Sequence, residues 1–377
     1  MARLGGVLFL LGDDDAQIAN HLSREFALGF EQAGVSAQCL RASELTRFAD
    51  LEAAVRAGNT RLVISLSGLG MDMRGDGNVY QRLGLDVLLM LLDHPILYWD
   101  KVEVPSGLSA VSTLSEADAD FVSTFGTRGR PAFQLAHAAN AKARRPWAEK
   151  SIPVFYCGTL RASPAAQRGT WAAHGERVAG QLNAIVEEHL GDGGRSLMAA
   201  AARVLAGAVD CADPLQLHPY YVTVDAYLRD YHRVETLKSL RSVPVVLAGG
   251  GWEAVLGDLG DNVEYLGRIH PDEVRARNGA AKIVLNVINT YHESHERVFS
   301  TIADGGVSLT STSAFYESAF TDEEVLRFDW NAPDLNATVA GLLAEDARLQ
   351  AIAAAGHAKF LAAHTWRHRA EKIVGNV

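Results

Sequence analysis

The sequence predicts an α/β protein built on two doubly wound parallel sheets. Three observations carry this. Apolar runs of strand length alternate with helical segments of about 10–15 residues, the pattern of parallel βαβ units. Several runs end in glycine or in a polar loop, where parallel sheets place their ligands. The chain has 377 residues, too long for one compact domain and suited to two of ordinary size.

In the first half, Gly6 to Gly12 reads as a strand. Gln17 to Gly34 follows as an amphipathic helix, with Ile18, Leu22, Phe26 and Phe30 at helical spacing and Gly34 as its stop. Ala37 to Leu40 is a short strand and Leu51 to Ala57 a helix. Arg61 to Ser67 is a buried strand ending at Gly68, before a glycine-rich loop from Leu69 to Asn78. Val79 to Gly84 is helical. Val87 to Leu92 is a strand that ends in Asp93-His94-Pro95. Leu108 to Leu114 repeats the theme, and Ser115 caps a helix through Phe125. Ala132 to Leu135 closes this half, followed by His137.

Residues 138–150 lack apolar periodicity, carry several basic residues and read as a linker. The second half restarts at Ile152 to Tyr156, ending in Gly158-Thr159. Helical patterns cover 170–190, 194–208 and 222–239. Val243 to Leu247 is a strand ending in Gly249-Gly250-Gly251-Trp252, and Val263 to Leu266 a short strand ending in Gly267. Asp272 to Asn278 is a helix, Ile283 to Val287 a buried strand and His295 to Ala303 a helix. Gly305-Gly306 stops that helix, and Val307 to Thr310 is the next strand. Asp334 to Leu343 and Asp346 to His364 are helices. There are no repeats of 20–50 residues and no low-complexity tract.

Composition narrows the function. With 48% apolar and 21% charged residues, the chain is a soluble globular protein. A net charge of −10 argues against nucleic acid as the main partner, but allows a local basic site for one small anion. The apolar run in MARLGGVLFLLGDDD is far shorter than the roughly 20 residues of a membrane span. It lacks a cleavage site, so it reads as a first buried strand with no transmembrane segment. Cys39, Cys157 and Cys211 are scattered without metal-ligand spacing, which suits a reducing cytoplasm.

Residues 282–310 form the densest candidate site. A polar loop, Asn289 to Ser294, and a helix N-terminus lie between two strands. Backbone N–H groups and the helix dipole then face the same place, a natural anion site. His295, Glu296 and Arg297 crowd that end. Arg297 either makes a bidentate phosphate contact or pairs with Glu296 or Glu293 on a solvated face.

The second half resembles the glycosyltransferase-like group that includes the spore-maturation protein CgeB, within the broader GT-B glycosyltransferases. The matching pieces begin with Val224 to Arg229 through Tyr231-His232-Arg233, then Gly250-Gly251-Trp252-Glu253. Val263 to Gly267 follows, with Asp272-Glu273-Val274 and Leu285-Asn286-Val287. Ser294 to Phe299 then precedes Gly305-Gly306, with Tyr316-Glu317 and Phe320 beyond. His364-Thr365-Trp366 and Arg369 close the set. In the first half, Asp93-His94-Pro95 and Leu135 to Ala138 match weaker motifs. The resemblance spans about residues 220–370. One departure stands out. Many relatives carry a glutamate, often placed on the donor ribose, directly after the aromatic residue of the helix; here it is Ser300. The ribose contact then moves to another group, such as Glu296 or Glu317, or is lost.

The resemblance implies two Rossmann-like domains in a GT-B fold, their parallel sheets facing an interdomain cleft. Residues 1–145 form the acceptor domain, 146–360 the donor domain, and 361–377 a C-terminal helix packing back toward the first domain. It implies a bacterial, cytoplasmic enzyme moving a sugar from a nucleotide-diphosphate donor to a glycan, lipid-linked glycan or protein. The nucleotide sugar is a substrate, and no cofactor or divalent metal is expected. Arg297 and the helix N-terminus would stabilise the leaving diphosphate, and retention of configuration is preferred. A non-catalytic sugar-nucleotide or glycan-binding module and a nucleotide-sugar epimerase are the alternatives.

Other candidates have two readings each. Gly158-Thr159 offers close backbone approach to phosphate or sugar, or is a plain strand-to-loop turn. Gly250-Gly251-Trp252 sits where a base could meet amides or an indole; Trp252 reads more readily as a core or wall residue. The run lacks GxGxxG spacing. Asp13, Asp14 and Asp15 follow the first strand. Asp13 or Asp15 would be a general base if the reaction inverts, and an aspartate there also caps the next helix. His94 contacts the acceptor or transferring sugar, or satisfies loop backbone; His137 has the same two readings. His292/Glu293 and His295/Glu296 lack the i, i+4 histidine spacing of a zinc helix, so no metal is expected there.

Overall fold

A computed structural model describes residues 5–14, 18–45, 47–71, 79–103, 108–126, 129–288, 293–330 and 334–376. Asp15, Asn289 and His292 lie outside these. The chain separates into two compact units, Met1–Ala141 with Ala362–Val377, and Lys142–Leu361.

The first unit alternates β1 (Gly6–Leu11), α1 (Ile18–Gln32), β2 (Ala37–Arg41), α2 (Phe48–Ala57), β3 (Thr60–Leu66), α3 (Val79–Arg82), β4 (Asp86–Met90), α4 (Trp99–Val102), β5 (Ala110–Thr113), α5 (Glu116–Phe125) and β6 (Ala132–Gln134). The strands form one parallel sheet in the order β2-β1-β3-β4-β5-β6. Every residue of β1 is buried, as a strand covered on both faces requires. The order reverses between β1 and β3, so the loops after those strands open at a topological switch point. Ile18, expected on the buried stripe of α1, is 53% exposed, while Leu22, Phe26 and Phe30 are buried.

The second unit runs β7 (Ile152–Cys157), α6 (Pro164–Thr170), α7 (Glu176–Gly191), α8 (Leu197–Leu205), α9 (Pro214–Ser239), β8 (Val245–Ala248), β9 (Val263–Tyr265), α10 (Pro271–Ala280), β10 (Ala281–Asn286), α11 (Glu296–Ala303), β11 (Val307–Ser311), α12 (Ala314–Ala319), β12 (Leu326–Phe328), α13 (Leu335–Ala344) and α14 (Asp346–Ala363). Its sheet is also parallel, ordered β12-β11-β10-β7-β8-β9. The switch point lies between β7 and β10. Four helices, α6 to α9, intervene between β7 and β8. The helical span expected over 170–190 is broken at Gly175, whose φ of 86° no helix interior accepts. The helix expected from 222 begins at Pro214, with Pro219 inside it.

Lys150 shows how buried polar groups are settled here. Its Nζ donates to Gly279 O at 2.8 Å and to Asp304 O at 3.5 Å. One ammonium therefore satisfies carbonyls at the carboxyl ends of both α10 and α11. Burial lowers its pKa to about 8.

The final helix, α15 (Trp366–Asn376), belongs to the first unit. Trp366 is fully buried and stacks on Phe26 with centroids 4.5 Å apart. Gly29 allows this approach, because a Cβ there would lie 2.6 Å from the Trp366 backbone. Arg369 donates to Ala136 O, Ala363 O and His137 O at 2.9–3.0 Å. Burial lowers its pKa to about 10.

Candidate functional site

Three loops meet at the carboxyl edge of the second sheet. The first follows β7. Gly158 N donates to Ala248 O at 3.0 Å and Leu160 N to Gly250 O at 2.9 Å. The second follows β8. Gly249 has a φ of 120° and Gly251 a φ of 86°. A Cβ on Gly249 would lie 2.0 Å from Gly158 O, and one on Gly251 would lie 1.9 Å from Leu160 O. These glycines let two turns pack backbone to backbone. Close approach to a ligand is not needed to explain them.

Trp252 completes that joint. It is fully buried, and its Nε1 donates to Gly158 O at 2.6 Å. Of the two readings of Trp252, base-facing indole and core or wall residue, burial agrees with the second: the indole is a brace between the two turns. Gly250 has a different neighbour. A Cβ there would meet Arg268 Nε at 2.6 Å, so Gly250 makes room for a guanidinium. Tyr265 secures the same turn, donating to Gly249 O at 3.0 Å and Glu253 Oε1 at 2.7 Å. That hydrogen bond, with the Arg268 charge, holds the Glu253 carboxylate below its usual range.

The third loop follows β10 and leads into α11. His295 caps this helix, its Nδ1 accepting from Arg297 N at 3.2 Å. Tyr316 Oη accepts from His295 N at 2.7 Å, and burial raises the Tyr316 pKa. Glu293 and Ser294 are buried.

Arg297 reaches across the sheet edge. Its Nη1 donates to Asn286 Oδ1 at 3.2 Å, and its guanidinium lies 5.7 Å from the centroid of the Tyr156 ring on β7. Asn286 is in turn fixed by Thr310 Oγ1 at 2.9 Å. The cation is thus held over the ends of β10 and β7, the two strands of the switch point. Solvated pairing with Glu296 or Glu293 is not what orients it. Burial raises the Glu296 pKa, against the pull of Arg297, the Ser300 hydroxyl and Lys142. Ser300 itself donates back to Arg297 O at 3.1 Å.

A second arginine was not expected at this edge. Arg233 on α9 donates to Thr159 O at 2.6 Å. Asp230, fully buried, accepts from Arg161 N at 3.1 Å, Gln167 Nε2 at 2.7 Å and Arg233 Nη1 at 3.3 Å. One carboxylate therefore ties the loop after β7 to the intervening helices. Burial raises the Tyr156 pKa, and the charges of Arg233 and Arg297 both lower it. Arg233, Arg268 and Arg297 bring positive charge to the ends of β7, β8 and β10.

Glu317 lies beyond the end of β11, the strand next to β10, where Thr312 Oγ1 approaches its carboxylate at 3.5 Å.

In the first unit, Asp13 follows β1 at the switch point. Its carboxylate accepts from Ser43, and its backbone carbonyl accepts from Arg41 Nη1 at 2.8 Å. Asn20 locks the loop, accepting from Gly12 N and donating to Gly12 O and Asp14 O at 2.8–2.9 Å. His94 follows β4. Its Nδ1 accepts from Ile96 N at 3.2 Å, and its Nε2 lies 3.6 Å from Asp118 Oδ1. Both ring nitrogens thus have protein neighbours, and the loop-satisfying reading accounts for His94. Burial, with the Asp93 charge, pushes Asp118 up to about 7, against a Ser115 hydrogen bond. His137 is buried. Among the described residues no three His, Cys, Asp or Glu side chains converge as metal ligands. No described helix is long and apolar enough to cross a membrane.

This architecture is the GT-B fold of glycosyltransferases. Sucrose-phosphate synthase of Thermosynechococcus elongatus superposes with a TM-score of 0.56 at 12% identity, covering 99% of this chain and 98% of that one. Alr3699/HepE of Anabaena, solved with UDP and glucose, gives 0.55 at 11% identity, covering 99% of each. An α-glucosyltransferase solved with UDP and a 13-mer DNA gives 0.57 at 10%, covering 99% of this chain and 100% of that one. Residues 229–375 match a family model described as glycosyl transferase-like. No curated protein sequence matches the chain.

Proposed function

We propose that the protein is a glycosyltransferase moving a sugar from a nucleotide-diphosphate donor to a glycan, a lipid-linked glycan or a protein. The observation that carries this is Arg297, fixed by Asn286 over the switch point of the second sheet. A guanidinium, which offers charge-assisted hydrogen bonds, and the positive dipole end of α11 both favour a diphosphate. They stabilise negative charge as it develops on the leaving group without a metal ion. Arg233 and Arg268 add to the same field. Two GT-B neighbours were solved with UDP, which makes uridine nucleotides the first donors to try. Transfer with retention is the preferred stereochemistry. Asp13 or Asp15 takes the role of base in the inverting alternative. The resemblance over about residues 220–370 supports, as part of this proposal, a CgeB-like enzyme working in a bacterial cytoplasm.

The test is incubation with a panel of sugar nucleotides, with and without acceptors. Released nucleotide supports transfer. A changed sugar on an intact nucleotide indicates an epimerase instead. Ser300 favours a second reading, because its hydroxyl is turned to Arg297 O and supplies no carboxylate for a ribose. On that reading the protein binds a sugar nucleotide or glycan without turnover, and binding with neither product on every acceptor would establish it.

A further inference from the structure

The same carboxyl edge of the second sheet holds a cavity of about 370 Å³ whose lining includes none of the three cradle arginines. It opens beyond the ends of β11 and β12, whereas the cradle is built at β7, β8 and β10. Thr312, Glu317, Asp329 and Trp330 line it, together with the turn between α7 and α8. Its size falls in the range of small-molecule sites, about 300–1,000 Å³.

Two features shape it. Gly193 and Gly194 have φ values of 69° and 72°, and a Cβ on Gly194 would come within 2.3 Å of the Trp330 ring. The turn is glycine so that it can close on the indole. His232, itself buried, stacks on Trp330 with centroids 4.2 Å apart and planes at 16°. The indole is held in one orientation, and its Nε1 has no hydrogen-bond partner among the described residues.

The lining selects the ligand. Glu317 and Asp329 stand in the lining with Arg195, while Asp192, also in the lining, is already paired with Arg203 Nη2 at 3.2 Å. This negative surplus opposes a phosphate, and an apolar ligand would strand the carboxylates. A sugar ring meets both demands. Its hydroxyls donate to carboxylates and to Thr312, while its C–H face covers an indole. We propose that this cavity binds a neutral pyranose unit of a glycan, separately from any nucleotide diphosphate. The proposal stands whether or not the protein transfers sugars.

The full chain is applied to immobilised glycans ending in neutral hexoses, in uronic acids or in sugar phosphates, with and without UDP. The expected result is capture of neutral ends, unchanged by UDP and weakened about tenfold or more by Asp329→Asn, the loss of a charge-assisted hydrogen bond. Thr312→Val weakens it too; both variants leave the half-buried indole and its His232 stacking in place. Failure to capture any neutral glycan overturns the proposal. So does capture that both variants leave intact, displacement by UDP, or a preference for acidic ends that Arg195→Ala removes.

Discussion

Arg297 donates to Asn286 Oδ1 at 3.2 Å, so a side chain from the first turn of α11 is fixed by the last residue of β10. The strand, not the helix, decides where the charge stands. Asn286→Ala should therefore weaken UDP binding by several-fold although Asn286 need not touch nucleotide. Arg297→Ala should weaken it by roughly 10- to 100-fold, the loss of a hydrogen bond to a charged group. Calorimetric titration with UDP checks both. Parent-like affinity in Arg297→Ala would refute the phosphate assignment.

Asp230 governs the loop after β7. Asp230→Ala strands Arg161 N, Gln167 and Arg233, each interaction with a charged group being worth about 1.5–3 kcal/mol. Amide hydrogen exchange should accelerate at Gly158 to Arg161, and UDP affinity should fall. Exchange confined to the termini would show that the loop is held by other contacts.

Trp366→Ala should destabilise the first unit by about 3–5 kcal/mol, the range for truncating a large core aromatic. Urea unfolding followed by fluorescence measures this. A small loss would mean that Phe26 and its neighbours collapse into the space.

The pH dependence of stability has two arms. Burial pushes His189 down to about 4 and His232 down to about 3, from 6.5. The unfolded chain then binds protons that the fold refuses, so stability is lost as pH falls below 6.5 toward those values. His189→Gln should flatten this acid arm. Asp118 acts oppositely, raised from 3.8 to about 7. Its contribution is full below 3.8 and lost as pH rises through about 7. Asp118→Asn should remove that loss. Melting temperatures across the window read both effects, and an unaltered profile in either variant counts against its assignment.

The sheets were legible because buried strands need contiguous apolar residues, and Val7 to Leu11 or Ile283 to Leu285 advertise themselves. The short elements were not. Leu326–Phe328 and Ala314–Ala319 hold too few residues to show a period, although Ser313 caps the latter by accepting from Tyr316 N at 3.3 Å. The start of α9 was missed because Pro219 normally marks a boundary; it is tolerated close to the helix N-terminus, where few amide hydrogen bonds are lost. At the candidate site, Arg297 could be found from its place after a buried strand. Arg233, Arg268 and Asp230 could not, since their roles depend on which distant turns meet. The glycines kept two readings for the same reason. Gly249 and Gly251 answer to the carbonyls of Gly158 and Leu160, and no local pattern encodes that meeting.

Trp366, stacked on Phe26, gives the first unit a core whose pieces are made far apart in time. At ribosomal speeds of about 5–20 residues per second, domains ordinarily fold as they emerge. Here α1 waits with an open aromatic face until α15 has been synthesised. The unit that leaves the ribosome first is the last to be finished. Released chains that end before Trp366 should therefore bind chaperones that recognise apolar surface, whereas the second unit, complete in sequence by Leu361, should resist proteolysis.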